Sequence, residues 1–358
     1  MNSPGKLLSL EYARGSAAII VLLFHIGYSL EIYFHDSTFF HIFSFGHIGV
    51  DFFFVLSGFI ILYTNHHYLN HSYWIASYFK KRLIRIYPVY WSIFLMMTLW
   101  HLMQGHIGEG KEYPWVNMIK CFFLFPLDEI PGTTIVGSAW TLPFEMLFYV
   151  AFMLFFINKL TGASSFAIWA LLIISNDLSD HFLSKNLIAM TNVKFLWIFF
   201  SPYILQFILG MISAYLFLHY SKRTLCLIIG ITGGISTASI LFAATHSNIY
   251  LNGLFFFSVL SGLATWEKYR GIATSEFFLL LGRASYTIYL THMASIQLCM
   301  RPLTYLNPHM NLILVFMIVL FLASIIGLLY HLYVELPLQK YLRTLDSKQV
   351  LREQMTSG

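Results

Sequence analysis

Runs of about twenty apolar residues recur along the whole chain, and nothing constrains its fold more. They fall at 8–30, 47–65, 87–105, 140–158, 163–178, 195–220, 225–245, 249–266, 284–304 and 311–334. An α-helix rises about 1.5 Å per residue, so roughly twenty residues cross a hydrocarbon layer about 30 Å thick. The runs predict an all-α, polytopic integral membrane protein of about ten transmembrane helices. Composition excludes a water-soluble domain. Of 358 residues, 58% are hydrophobic and only 10% charged, where a soluble domain carries about 25% charged residues. A further apolar segment, MIKCFFLFPL (Met118 to Leu127), is too short to cross comfortably and reads as re-entrant or interfacial.

The basic residues test that choice. With the short segment held to one side, sixteen of the 21 lysines and arginines share the side of the N-terminus, and Lys111, Lys120, Lys185, Lys194 and Arg301 lie opposite. A crossing by the short segment would invert every later loop and erase the bias. Basic residues collect on the cytoplasmic face, so both termini are expected there. The net charge of +5 says little beside this placement, and no nucleic-acid partner is expected. Residues 1–340 are read as one membrane domain and 341–358 as a short cytoplasmic tail. No cleavable leader is apparent, so the first span is expected to be kept. Cys121, Cys226 and Cys299 lie far apart and form neither a disulfide framework nor a metal-ligand pattern. His66, His67 and His71 lack convincing ligand partners, and no bound metal is expected.

Several ionisable residues sit where an apolar helix should exclude them. EYARGSAAIIVLLFHIG (Glu11 to Gly27) holds Arg14 near the expected cytoplasmic end and His25 eleven residues further out, roughly 16 Å along the helix. The two are not neighbours, but they can reach opposite ends of one long ligand. HIGVDFFFVLSGF (His47 to Phe59) and SAWTLPFEMLFY (Ser138 to Tyr149) enter from the outer side. Asp51 and Glu145 are therefore expected near the depth of His25. Ionisable groups in lipid are expensive unless they pair or line a wet cavity. On the inner side, YFKKRLIRIYP (Tyr78 to Pro88) brings Arg82 and Arg85 onto one face if it is helical. Guanidinium groups offer planar, multi-donor contacts to phosphate. Arg283 and Glu335 lie on the same side, and Glu335 has an arginine as its expected partner. His292 falls deeper. The layout is a polyanion-friendly inner mouth beneath an acid/base layer.

Each residue also has a plainer role. Arg82 and Arg85 serve equally as orientation determinants or a lipid-headgroup site. Asp51 fits a helix-entry charge. Gly49, Gly58 and Gly210 read as helix-packing positions, and Trp140 with the tyrosines as interfacial anchors.

These segments, taken in order, resemble the membrane acyltransferase-3 family. Arg14 and His25 are similar to its first-helix arginine–histidine motif, and GVDFFFVLSGF (Gly49 to Phe59) is similar to a segment of its second helix. RLIRIYP (Arg82 to Pro88), SAWTLPFEMLFY, QFILGMISAY (Gln206 to Tyr215), LGRASYTIYLTH and YVELP are similar to further family segments. The resemblance covers roughly residues 8–340. It implies an enzyme of a bacterial inner membrane that moves an acyl group, often acetyl, from cytoplasmic acyl-CoA to a hydroxyl. The usual acceptor is a surface or lipid-linked sugar such as O-antigen, lipopolysaccharide or exopolysaccharide. It also implies a stand-alone membrane module without an esterase-like domain. Carried over residue by residue, it implies acyl-CoA binding by Arg14, Arg82 and Arg85, with His25 and Glu145 at the reaction centre.

The expected mechanism makes His25 the general base, because imidazole titrates near physiological pH. Glu145 or Asp51 would orient it. Direct transfer is favoured over an acyl-enzyme, with Ser57 and Ser285 as the candidate nucleophiles for the latter. Backbone amides, Tyr149 and Tyr286 are oxyanion donors to consider, and Trp140, Ser285, His292 and Glu335 are supporting candidates. The competing reading is a transporter or flippase for a lipid-linked glycan or metabolite. No internal repeat or matched pair of broken spans supports it.

Overall fold

The computed structural model describes residues 5–127, 134–242 and 248–345. The tail beyond residue 345 and the end of the 225–245 span lie outside them. Among the described residues the protein is helical throughout, without a named strand. In chain order the helices are α1 (Leu8–Phe34), α2 (Thr38–Phe43), α3 (Gly49–Asn65), α4 (Ile75–Met103), α5 (Trp115–Phe122), α6 (Leu142–Phe152) and α7 (Leu154–Ile157). They continue as α8 (Lys159–Leu178), α9 (Phe182–Thr191), α10 (Tyr203–His219), α11 (Lys222–Phe242), α12 (Ile249–Arg270), α13 (Glu276–Leu306) and α14 (Leu312–Tyr330).

Every expected span has its helix. Eight of the helical segments are long and apolar enough to cross a membrane. The remaining two expected spans are α11, which runs up to the undescribed residues 243–247, and α13. α13 is the more polar because it carries Glu276, Arg283 and Arg301 and buries Ser285, Thr287, Thr291, His292 and Ser295. The first half of the short apolar segment lies in α5, eight residues long and so about 12 Å, too little to span, and residues 123–127 leave the helix. Its end is held from α4: Tyr90 Oη donates to the carbonyl of Cys121 at 2.7 Å and Trp91 Nε1 to that of Phe122 at 2.9 Å.

Helix direction bears on the same point. Gly15 of α1 meets Gly282 of α13, and ten residues further along both helices His25 meets His292. α1 and α13 therefore run parallel. That is the relation expected if the spans between them alternate and the short segment does not cross.

Small residues set the crossings. A Cβ on Gly15 would come within 2.8 Å of the Gly282 backbone nitrogen. A Cβ on Gly58 would overlap the Phe207 carbonyl oxygen, and one on Gly210 that of Val55, so α3 and α10 touch backbone to backbone. Beside this crossing the core is filled by phenylalanine, with the Phe148 and Phe207 rings stacked at 4.1 Å.

The start of α1 is held from a distance. The Glu267 carboxylate, at the end of α12, accepts from the Leu8 and Ser9 backbone N–H groups at 2.8 and 2.7 Å and from Ser9 Oγ at 2.6 Å. Helix N-termini leave N–H groups unpaired and favour negative charge, and no side chain of α1 itself caps this one. Glu267→Ala is expected to destabilise the protein by about 1–2 kcal/mol. A lowered unfolding temperature in detergent, with unchanged helix content by circular dichroism, is the result to look for.

Candidate active site

Two large cavities open side by side at the end of the bundle where α1, α4, α13 and the extension of α14 meet. They measure about 550 and 520 Å³ and share Ile60, Thr64, Arg85, Gln339 and Arg343 in their walls. Seven cationic side chains line the pair: Lys6, Arg14, Lys81, Arg82, Arg85, Arg283 and Arg343. Glu11 and Glu335 are the lining carboxylates. A smaller cavity of about 70 Å³ lies against the same arginines and reaches Ser57, Thr141, Glu145, Ser285, Tyr286 and Tyr289. Wide, cationic space thus narrows onto a small pocket whose mainly apolar wall, from Val50, Phe53, Phe54 and Leu142, carries these few polar groups.

Each lining group is set by its helix. The crossing at Gly15 and Gly282 brings Arg14 onto α13, where its Nε donates to Ser285 Oγ at 2.7 Å and its Nη2 to the Gly282 carbonyl at 2.6 Å. Glu11, one turn earlier, is 3.6 Å from the same guanidinium. Helix α4 begins at Ile75 and not near residue 87, so Arg82 and Arg85 lie on the helix and face one way. The Arg82 guanidinium lies over the rings of Tyr78 and Tyr149, 5.6 and 5.3 Å from their centroids, a cation–π arrangement. Arg85 forms no hydrogen bond or ion-pair contact with another described side chain, yet it lines all three cavities. Its guanidinium is the natural donor to an incoming anion.

Glu145 accepts from Ser57 Oγ at 3.2 Å and from Tyr149 Oη at 3.3 Å, within electrostatic range of Arg14 and Arg85. Tyr286 donates to the Ile86 carbonyl at 3.1 Å, and Tyr289 shares a 3.3 Å hydrogen bond with Thr141. Both candidate serines are engaged: Ser57 on Glu145, and Ser285 between Arg14 and the Gly282 carbonyl. Among the described residues neither hydroxyl is hydrogen-bonded to a histidine.

Three expectations from the sequence meet a different geometry. The convergence of Glu145 and Asp51 on His25 does not form. Glu145 faces the arginines. Asp51 is buried and accepts from Gln206 Nε2 on α10 and Asn252 Nδ2 on α12, because the close α3–α10 crossing turns it inward, toward its own packing partners. The ring that meets His25 is that of His292, at a centroid distance of 4.8 Å. Glu335 pairs with no arginine. α14 continues into a single π-helical turn, His331–Glu335, and there Glu335 bonds His331 Nδ1 at 2.6 Å and accepts from Gln339 at 2.9 Å. Such turns concentrate at functional sites. Trp140 stands away from the arginines, lining a cavity of about 30 Å³ with Tyr90 and Trp197.

Glu11, Thr141, Tyr289, His331, Gln339 and Arg343 also line these cavities, beyond the residues expected from the sequence. A turn-spacing search would have found some of them: Glu11 is one turn from Arg14, and His331 and Gln339 are one turn to either side of Glu335. Among the described residues no group of three metal-ligating side chains forms.

Comparison with known proteins bears on the family. A family model described as an acyltransferase domain matches residues 7–331. The chain is 26% identical to the exopolysaccharide production protein ExoZ of Rhizobium meliloti (strain 1021), over 72% of this chain and 78% of that protein. It is also 26% identical to the acyltransferase MdmB of Streptomyces mycarofaciens, over 42% of this chain and 39% of that protein. No solved structure matches. A multi-pass chain, helical over its described residues, whose domain match takes in Arg14, Arg82, Arg85, Arg283 and both facing histidines, belongs to the acyltransferase-3 family.

Proposed function

We propose that the protein transfers an acyl group, acetyl in the first instance, from acyl-CoA to a hydroxyl of a cell-surface or lipid-linked sugar. The carrying observation is the cationic double cavity that narrows past Arg14 and Arg85 onto a small, mainly apolar pocket with a few polar groups. A donor with several phosphates at one end and a thioester at the other matches that gradient of charge and width. The exopolysaccharide role in the name of ExoZ supports a sugar acceptor. The reading puts the cationic end in the cytoplasm of a bacterial inner membrane, as the positive-inside bias suggests.

In this mechanism Arg14, Arg82 and Arg85 hold the phosphates and the adjoining arm. Glu145 supplies a negative charge within electrostatic range of Arg14 and Arg85, and the thioester passes toward His25. The acceptor oxygen attacks the thioester carbonyl while His25 takes its proton. The C–S bond breaks, and the proton passes on to the departing thiolate. Two measurements test the reading. Membranes carrying the protein, given radiolabelled acetyl-CoA and the host's glycans, should label glycan and release free CoA thiol; a transporter releases none. Arg85→Ala should raise the acyl-CoA KM about 10- to 100-fold, the loss of a charge-assisted phosphate contact. An unchanged KM would move the donor out of these cavities.

A further inference from the structure

The histidine proposed as base has an imidazole neighbour with one committed nitrogen. His292 lies on α13, 1% exposed, and its Nδ1 bonds the Tyr289 backbone carbonyl at 2.5 Å. A carbonyl only accepts, so Nδ1 carries the proton and Nε2 of the neutral ring is bare. That Nε2 is buried without a hydrogen-bond partner, and so is Nδ1 of His25. The two rings are 4.8 Å apart between centroids and inclined at 44°. Two orphaned nitrogens on facing rings are a costly arrangement unless they serve each other. The hydrogen bond between them is not made in this structure, and catalytic hydrogen bonds commonly tighten only once substrate is bound.

We propose that His292 is the positioning residue of the acyl transfer: its bare Nε2 accepts a hydrogen bond from Nδ1–H of His25 and so fixes the His25 tautomer. The proposal rests on the acyl-transfer reading given above. It supplies the orienting group that neither carboxylate provides, since Glu145 is held by Ser57 and Tyr149 and Asp51 by Gln206 and Asn252. With Nδ1 protonated, Nε2 of His25 holds the lone pair that would take the acceptor proton, on a ring that is itself partly exposed. In the step, the hydroxyl proton moves to His25 Nε2 as the C–O bond forms. It then moves to the sulfur as the C–S bond breaks. His292 keeps its own proton throughout and stabilises the transient imidazolium. The parallel α1–α13 pairing holds the arrangement, because one helix register sets both the Gly15–Gly282 crossing and the imidazole pair.

Two variants separate positioning from packing. His292→Phe keeps a ring and removes the acceptor. His292→Gln places an amide oxygen near the position of Nε2. The expected result is a kcat lower on the order of 10²-fold for His292→Phe, with the acyl-CoA KM unchanged, and recovery to within about tenfold of wild type for His292→Gln. Equal activity of His292→Phe and wild type, or equal loss in both variants at unchanged unfolding temperature, overturns the proposal. A second readout needs no turnover. In 15N-histidine spectra of the purified protein, the His25 resonances, assigned by their loss in His25→Gln, should show a protonated Nδ1 and a bare Nε2, and His292→Phe should redistribute them. The opposite tautomer in the wild type overturns the proposal even if acyl transfer stands. Absence of acyl transfer in the wild type, with the expected tautomer present, counts against the enzymatic reading and leaves the imidazole pair in place.

Discussion

His25→Ala should lower turnover about 10²–10⁴-fold, the range associated with removing a positioned general base, while the acyl-CoA KM stays within about threefold. The split follows from distance. His25 is eleven residues from Arg14 on one unbroken helix, roughly 16 Å along its axis, so its loss leaves the phosphate-binding end intact. The carboxylates nearest in expectation are engaged elsewhere, and His292 spends its proton-bearing nitrogen on a carbonyl. Initial rates against acetyl-CoA concentration, with Arg85→Ala measured alongside, would show one variant failing in kcat and the other in KM. A His25→Ala enzyme within tenfold of wild-type turnover would mean that the base lies on another helix.

The second large effect is structural. Gly210→Ala and Gly58→Ala should each destabilise the protein by about 3 kcal/mol or more, because the new methyl meets a carbonyl oxygen of the facing helix and not a side chain that can turn aside. Relief requires α3 and α10 to separate, which also breaks the Gln206–Asp51 bond between them. Gly230 is the internal control. It is helical with nothing within 4 Å, and Gly230→Ala should gain about 0.5–1 kcal/mol from helix propensity alone. Thermal unfolding of the three variants in one detergent would order them. A Gly210→Ala protein as stable as Gly230→Ala would show that the helices approach less closely than described.

What the sequence made legible was depth. Apolar runs locate helices, and the short Met118 to Leu127 segment declared itself by length. What it left dark was azimuth, the direction in which a side chain leaves its helix. Asp51 and His25 can share a layer without facing each other, and the facing is decided by which glycines let which backbones touch. Gly58 and Gly210 were readable as packing positions, but their partner could not be read from either segment. The Glu335 partner was legible in part. His331 stands four residues before it, one helical turn away, but the π turn that couples the two is a property of the folded chain. His292 was visible as a buried polar residue in an apolar run, but the pairing with His25 depends on the parallel course of two helices nearly 270 residues apart in sequence.

The carboxylate of Glu267 has a consequence for the order in which this protein comes into being. Ser9 and Glu267 are separated by 258 residues, and a ribosome adding about 5–20 residues per second needs roughly 15–50 s to pass from one to the other. Through that interval α1 is in the membrane with its first turn uncapped, and Arg14 has neither Ser285 nor Gly282 to receive it. A long basic side chain near a helix end can reach the headgroups meanwhile. The lipid surface thus holds the arginine until α13 is made, and a chain halted before that helix contains the whole of α1 with its arginine and histidine, but not the wall against which either is set.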